Sequence, residues 1–259
     1  LIAVLLLFSR TPRIISGSGA GGPDDAALYR SIIARMRAGE SYYPVAASEL
    51  RKQPYGMKSV FNWRPPTLAL VMSRLPGDAW GRAILGSIAL ATVFIARVAA
   101  RRDGKLVGIL VPVAIFYGGM LNCFSRNGVY FTELWAGTLI CLSVCCYGAG
   151  RSVAGAISAL IALYMRELAA PYVVLAFAIA LWRTRRTEIV IWLIGLAGYA
   201  CIFAAHASAV HRQIRPDDFA DPQSWLQLGG LRFILATVHW NGLVEHLPLW
   251  TAAILLPIA

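Results

Sequence analysis

The chain has 259 residues, of which 58% are hydrophobic and only 14% are charged. Its mean hydropathy of +0.61 is too high for a water-soluble domain of this size. Long apolar segments alternate with short basic ones, which excludes a soluble globular fold and predicts an all-α, polytopic transmembrane helical bundle with interfacial helices. The net charge of +11 comes from basic residues that flank these segments, so we expect anionic membrane lipid, and no nucleic acid, as their partner.

The predicted membrane spans follow from the apolar segments in chain order. They cover residues 1–8, 79–100, 106–123, 129–149, 152–182, 189–210 and 243–259. The first and the last stop within an apolar run at a chain end, so we expect one transmembrane domain over 1–259 that is truncated at both ends. One helix over 151–182 would measure roughly 48 Å against a hydrocarbon core of about 30 Å. Arg166 and Glu167 at its middle, with Pro171 just beyond, predict two short helices instead.

The orientation follows from the short basic loops. Residues 97–105, Arg151 and 183–186 carry most of the positive charge between spans, so these loops are predicted to be cytoplasmic. Four regions then fall on the outer side: the first outer loop (9–78), residues 125–128, the turn at Arg166, and the second outer loop (211–241). The first outer loop is itself basic, but loops longer than roughly 60 residues are largely exempt from the charge rule.

The first outer loop contains two apolar stretches too short to span a membrane. In "DDAALYRSIIARMRAGE" the residues Leu28, Ile32, Ile33 and Met36 recur at helical spacing, and Gly39 is a stop signal. This pattern predicts a helix that lies along the membrane surface. The run in "RPPTLALVMSRLPG" has only about ten apolar residues between prolines, which predicts a second interfacial or re-entrant helix.

The candidates for chemistry begin with two acidic neighbours at the start of this loop. Asp24 and Asp25 can act as a general base or hold a divalent metal ion. The alternative is a helix N-cap followed by an acidic first turn. Arg64, held by Pro65 and Pro66, suits a phosphate oxygen pair because its guanidinium is a planar fork. The alternative for Arg64 is contact with lipid headgroups.

Charged residues also fall near the predicted outer ends of later spans. Arg166 and Glu167 cost several kcal/mol between apolar helices unless they meet a partner or water, which favours a functional role over simple mutual pairing. Glu133 lies near the start of its span, shortly after Arg126. The predicted topology brings seven charged residues to one side of the membrane. They are Asp24, Asp25, Arg64, Arg126, Glu133, Arg166 and Glu167.

The second outer loop contains a further acidic cluster. Asp217, Asp218 and Asp221 can bind a metal ion or an acceptor, but aspartate beside proline is common turn chemistry, and the turn is the favoured interpretation. His211 and His239 accompany them without a nucleophile motif. No metal ligand set is assigned from the sequence, and the requirement for a divalent metal stays open.

The layout of these motifs resembles the GT-C class of integral membrane glycosyltransferases, of the bacterial arabinosyl- and mannosyl-transferase type. "DDAALYRSIIARMRAGESYYP" is similar to the acidic motif and interfacial helix of that class. "NWRPPTLALVMSRLPG" is similar to its basic-Pro-Pro element, and "AISALIALYMRELAAPYVVLAFAIALWRTRR" to its charged break between two short spans. The resemblance covers most of the chain, although each motif is short.

The resemblance implies a cell-envelope enzyme of the plasma (inner) membrane, with its active site on the outer, periplasmic face. Such an enzyme moves a sugar from a polyprenyl-phosphate donor to an acceptor, which is a glycan, a lipid or a protein, with inversion. Asp24 matches the acidic residue of the first loop that acts as base or orients the acceptor, and its neighbour Asp25 is the possible substitute: counting back from Gly39 favours Asp24, and counting back from Tyr29 favours Asp25. Arg64 and Arg166 match donor-phosphate contacts. The remaining candidates for substrate binding are Tyr29, Arg126, Glu133 and Glu167. The alternative function is a transporter or flippase for a lipid-linked or anionic solute.

Overall fold

The computed structural model describes residues 24–53 and 55–220, and it confirms the predicted all-α class for this part of the chain. The α-helices are α1 (Asp25–Arg37), α2 (Tyr42–Leu50), α3 (Thr67–Arg74), α4 (Asp78–Ala100), α5 (Val107–Gly118), α6 (Thr132–Gly148), α7 (Ser152–Met165), α8 (Ala170–Trp182) and α9 (Arg186–His211). Short 3-10 turns occupy Val60–Asn62, Arg101–Asp103, Met120–Phe124, Gly128–Tyr130 and Glu167–Ala169. The predicted spans at 1–8 and 243–259 lie outside the described residues, as do Asp221, His239 and most of the second outer loop.

Within its described residues, 24–53 and 55–78, the first outer loop folds into three short helices. α1 forms as its periodicity predicts, with Leu28, Ile32 and Ile33 buried, and the chain turns away at Gly39, whose φ of +96° suits glycine. α3 begins directly after Pro66 and buries Leu68 and Met72. Both α2 and α3 pack against α1, so the loop forms a compact layer.

α2 is the helix of this layer that the sequence analysis missed. Pro44 stands in its first turn, where the missing N–H has no helical partner to lose. Val45, Ala46 and Ala47 follow and are buried. Pro44 is therefore compatible with a helix that packs against α1.

Two helical segments of the described part are long and apolar enough to cross a membrane, Asp78–Asp103 and Arg186–His211. They coincide with the predicted spans at 79–100 and 189–210. Only 11% of the most apolar window of α9 is buried among the described residues, so its apolar side chains mostly face outward. Val107–Gly118, Thr132–Gly148, Ser152–Met165 and Glu167–Trp182 are apolar but shorter.

The predicted spans at 106–123 and 129–149 are shorter in the structure. α5 ends at Gly118 and the chain continues as a 3-10 turn over Met120–Phe124. α6 starts only at Thr132, after the turn Gly128–Tyr130. Hydropathy predicts a span over each whole apolar stretch. The α-helices themselves are shorter, because glycines and a polar segment lie between them.

The predicted break in the segment 152–182 is confirmed. α7 ends at Met165, Arg166 has an extended backbone with φ −153° and ψ 123°, and Glu167–Ala169 form a 3-10 turn before α8. Pro171 lies in the first turn of α8, where proline is tolerated. The break gives a corner that carries two charged side chains.

Small residues let the central helices approach one another closely. α6 packs extensively on α7 and on α4, and Ala156 and Ala159 of α7 are fully buried. At Gly155 a Cβ atom would lie 2.8 Å from the Tyr147 ring. Such small-residue contacts are common between apolar helices because dispersion then acts over short distances.

Candidate active site

A cluster of charged side chains lies where the first outer loop meets the ends of α6 and α7. It contains Asp25 from α1, Arg64 from the segment before α3, Glu133 from the first turn of α6, and Arg166 and Glu167 from the corner between α7 and α8. Side chains up to 69 positions apart in the sequence, such as Arg64 and Glu133, are thus brought into direct contact.

Arg64 is at the centre of this cluster. Its Nη1 donates to Glu133 Oε2 at 2.6 Å and to Thr132 Oγ1 at 3.2 Å, and its Nη2 lies 3.6 Å from Asp25 Oδ2. The guanidinium carbon stands 4.5 Å from the centroid of the Tyr29 ring, a favourable cation–π distance. With its side chain only 13% exposed, Arg64 is held in one orientation.

The charge of Arg64 is secured by its surroundings. Burial disfavours the charged form, but Tyr29, Glu133 and Asp25 outweigh burial and raise the pKa of Arg64. Burial also raises the pKa of Tyr29, and the neighbouring Arg64 lowers it by a smaller amount, so the pKa is about 12. Tyr29 therefore stays protonated at neutral pH and acts as an aromatic support for Arg64.

Arg166 forms the second positive group, with a side chain only 7% exposed. Its Nη2 lies 3.5 Å from Glu133 Oε1, and its Nη1 lies 3.3 Å from Glu167 Oε1. Glu133 consequently bridges the two guanidiniums. Among the described residues, Arg166 Nε and both carboxylate oxygens of Glu167 are buried without a hydrogen-bond partner, which is uncommon because most buried polar atoms are satisfied.

The structure separates the two adjacent aspartates. Asp24 is the N-cap of α1 and accepts a hydrogen bond from the Ala27 amide at 3.1 Å. Asp25 instead faces the cluster, where it accepts a hydrogen bond from the Tyr55 hydroxyl at 2.6 Å. The interpretation as an N-cap followed by an acidic first turn is thus confirmed for the pair, and a role of Asp25 as a general base stays a prediction.

Supporting residues of this cluster carry no sequence signal of their own. The Tyr55 hydroxyl orients Asp25, and its pKa is raised by burial and by that hydrogen bond. The Tyr42 hydroxyl donates to the Arg64 carbonyl at 2.6 Å and so fixes the backbone before the prolines. Neither tyrosine belongs to a charged pattern or stands at a distinctive spacing, so only the fold reveals their positions.

Arg126 lies apart from this cluster. It lines a separate cavity with Arg30, Arg82 and Tyr130, on another side of α1. The predicted group of outer charges is therefore divided in space. Within residues 24–53 and 55–220, no group of three or more His, Cys, Asp or Glu side chains is arranged to hold a metal ion.

The start of the second outer loop has a structural role. Asp218 binds Arg51 through two hydrogen bonds of 2.7 and 2.9 Å and accepts the Arg215 amide at 2.7 Å. The hydrogen bond from Arg51 lowers the pKa of Asp218 more than burial raises it. Asp218 thus joins this loop to α2, in keeping with the turn interpretation.

Comparison of the chain with protein-family models, curated proteins and solved structures finds no match. The likeness of its motifs to the GT-C class stays an expectation from the sequence. A functional proposal consequently depends on the geometry of the charged cluster.

Proposed function

We propose that the chain is a multi-span membrane glycosyltransferase that moves a sugar from a polyprenyl-phosphate donor to an acceptor on the outer face, with inversion. The observation that carries the proposal is the pair of largely buried guanidiniums, Arg64 and Arg166, which Glu133 bridges, with the carboxylate of Asp25 next to Arg64. Two fixed cations beside a carboxylate suit a reaction in which phosphate leaves and a hydroxyl loses its proton.

The lengths of the helices support a site that lies below the outer membrane surface. α4 has 23 residues and α9 has 26, which correspond to about 35 and 39 Å and exceed a hydrocarbon core of about 30 Å. α7 and α8 have 14 and 13 residues, about 20 Å each. If the basic loops share one level, the corner at Arg166 is recessed, where a donor anchored by its lipid can present its phosphate.

The reaction then follows from the residues at this corner. The acceptor oxygen forms a bond to the anomeric carbon while the bond from that carbon to the donor phosphate oxygen breaks. The phosphate leaves with the bonding electron pair, and Arg64 and Arg166 stabilise its charge. Asp25 takes the proton of the acceptor hydroxyl, and the Tyr55 hydroxyl keeps its carboxylate oriented.

Unsatisfied polar atoms provide contacts for the substrates. Arg166 Nε can donate to a phosphate oxygen, and the two Glu167 oxygens, without hydrogen-bond partners among the described residues, can accept from sugar hydroxyls. Glu133 holds both arginines apart and in place before the donor arrives. The requirement for a metal ion is outside this proposal.

The experiment that tests the proposal is transfer of radiolabelled sugar from polyprenyl-phosphate donors by membranes that contain the protein. We expect Arg64→Ala to lower the rate by about 100-fold or more, because an electrostatic contact to the leaving group is lost. Arg74→Ala is the matched control: Arg74 is exposed, and its guanidinium donates to the Leu70 carbonyl of its own helix. Equal rates for Arg64→Ala and the unaltered protein would exclude this site.

A transporter or flippase for an anionic, lipid-linked solute is the second candidate, favoured by the broken helix pair α7 and α8 with buried charges at the break. Reconstituted vesicles distinguish the two. Movement of labelled lipid-linked sugar across the bilayer without formation of a glycosylated product would support transport. Product formation on one face without such movement would support the glycosyltransferase.

A further inference from the structure

A second cluster of arginines lies on another side of α1, away from Asp25 and Arg64. It surrounds a cavity of about 340 Å³ between α1, the start of α4 and the segment before α6. The lining residues are Arg30, Asp78, Ala79, Arg82, Arg126 and Tyr130. We propose that this cavity binds a phosphoryl group, either that of a lipid headgroup or that of a soluble phosphate.

The charges that line the cavity are unbalanced. Asp78 is its one carboxylate among the lining residues, and it already binds Arg37 at 2.7 Å and accepts the Tyr130 hydroxyl. Arg37 is not part of the lining, so it neutralises Asp78 from outside. Three guanidiniums therefore face the cavity with their positive charge largely uncompensated.

The interactions that these three arginines already make leave most of their side-chain N–H donors available to a ligand. Arg30 donates to the Asn127 side-chain oxygen at 2.9 Å and lies 5.2 Å from the centroid of the Tyr130 ring, and both partners are neutral. Arg82 interacts electrostatically with Asp78. Within the described part of the chain, neither the Arg82 nor the Arg126 side chain forms a hydrogen bond or a salt bridge. Like charges gathered around one cavity repel, and a phosphoryl group, which accepts from planar guanidinium forks, removes that repulsion.

The cavity is distinct from the Asp25 cluster although both use α1. Tyr29 stacks against Arg64 of the cluster, whereas the next residue, Arg30, reaches Asn127 and Tyr130. Successive helix residues point in directions about 100° apart, so neighbouring positions serve different sites. Binding of a phosphoryl group in this cavity does not depend on glycosyl transfer.

The cavity lies at the first turn of α4, a position that suits a ligand at the membrane surface. Trp80, in the same turn, is 59% exposed, and tryptophan is enriched where a membrane meets water. The N-terminus of α4 adds its dipole to the potential that the arginines create. Both a lipid phosphate and a soluble phosphate can reach a site where the membrane meets water.

The test is equilibrium binding to the purified protein in a nonionic detergent, with three probes: short-chain phosphatidic acid, inorganic phosphate, and short-chain phosphatidylcholine. We expect phosphatidic acid or inorganic phosphate to bind more tightly than phosphatidylcholine, whose quaternary ammonium the arginines repel. Binding that weakens as salt rises is also expected. Tight binding of phosphatidic acid alone would assign the ligand to lipid, and comparable binding of both phosphates would assign it to soluble phosphate.

Variants of the cavity decide whether the binding occurs there. Arg82→Gln and Arg126→Gln should each weaken the tighter probe by about tenfold, since each removes a charge-assisted contact. Because neither side chain has a hydrogen bond to lose among the described residues, the fold should be retained, and circular dichroism checks this. Arg126→Lys, which keeps the charge but loses the fork, should fall between.

Arg74→Gln is the matched control, since Arg74 is exposed, lies outside the lining and should leave the affinity unchanged. Affinities within about twofold of the unaltered protein in both glutamine variants would overturn the proposal. The proposal would also be overturned if neither phosphatidic acid nor inorganic phosphate bound. Because the readout is binding, its failure would leave the transfer experiment above unaffected, and a failed transfer experiment would leave this result unaffected.

Discussion

Two arginine–carboxylate pairs lie in or next to the first outer loop, and they differ in the hydrogen bonds they make. Arg51 and Asp218 form a bidentate pair, and the Arg215 amide also donates a hydrogen bond to Asp218. Arg166 and Glu167 touch at 3.3 Å, yet Arg166 Nε and both Glu167 oxygens have no hydrogen-bond partner in the described part of the chain. Since a satisfied pair stabilises a fold and an unsatisfied one costs free energy, the first pair reads as structural and the second as a binding element.

The largest expected effect comes from breaking the satisfied pair. Arg51→Ala leaves the Asp218 carboxylate, 3% exposed, without its partner, which should lower the free energy of unfolding by about 3 kcal/mol. Thermal unfolding in detergent measures this. Sugar transfer at a temperature where the variant is folded should stay near that of the unaltered protein. Loss of transfer without loss of stability would reverse the roles assigned to the two pairs.

Acid should weaken the same pair through protonation. The pKa of Asp218 is lowered in the folded protein, chiefly by the hydrogen bond from Arg51. The folded state therefore prefers the carboxylate, so the stabilisation is fully present above the unfolded pKa of about 4 and is lost as pH falls through the lower folded value. Melting temperatures between pH 7 and pH 3 should show this loss. Arg51→Ala should show a smaller decline, and equal declines would contradict the assignment.

Neutralising Glu167 should give the opposite pattern to Arg51→Ala. Glu167→Gln keeps the shape of the side chain but weakens its acceptors, so transfer should fall by about tenfold, mainly through KM if the group binds a sugar hydroxyl. The melting temperature should change little, because the carboxylate oxygens have no hydrogen bonds to lose among the described residues and Arg166 keeps its ion pair with Glu133 when the pair with Glu167 is lost. A large loss of stability with normal transfer would make Glu167 a structural residue like Asp218.

The smallest effect is expected at Asp24, whose role is to cap α1. Asp24→Ala removes the acceptor of the Ala27 amide and should cost about 1 kcal/mol of stability. Asp24→Asn, which caps equally well, should cost almost nothing. Comparing the two melting temperatures isolates the cap from any effect of charge.

The sequence predicted the features that depend on local chemistry. The periodicity of Leu28, Ile32 and Ile33 predicts α1, and the charged pair with Pro171 predicts the break between α7 and α8. Each rests on residues adjacent in sequence, where hydropathy and backbone constraints act directly. Long apolar helices such as α4 and α9 were predictable for the same reason.

Features that depend on tertiary contact were beyond the sequence. Nothing local distinguishes Asp24 from Asp25, because only the approach of Tyr55 and Arg64 selects the second. Arg126 was grouped with the other outer charges by topology alone. In the structure it lines a different cavity together with Arg30, which lies on another side of α1 from the Asp25 cluster. A topology fixes the level of a residue in the membrane, and packing fixes the site to which it belongs.

The role of Asp25 as the base is tested most directly by sugar transfer from a polyprenyl-phosphate donor, with Asp25→Asn and Asp24→Asn compared at matched expression. We expect Asp25→Asn to lose at least about 100-fold in rate, because an amide cannot take the proton of the acceptor hydroxyl, and Asp24→Asn to keep the rate of the unaltered protein. Equal rates in the two variants, or loss in Asp24→Asn alone, would contradict it.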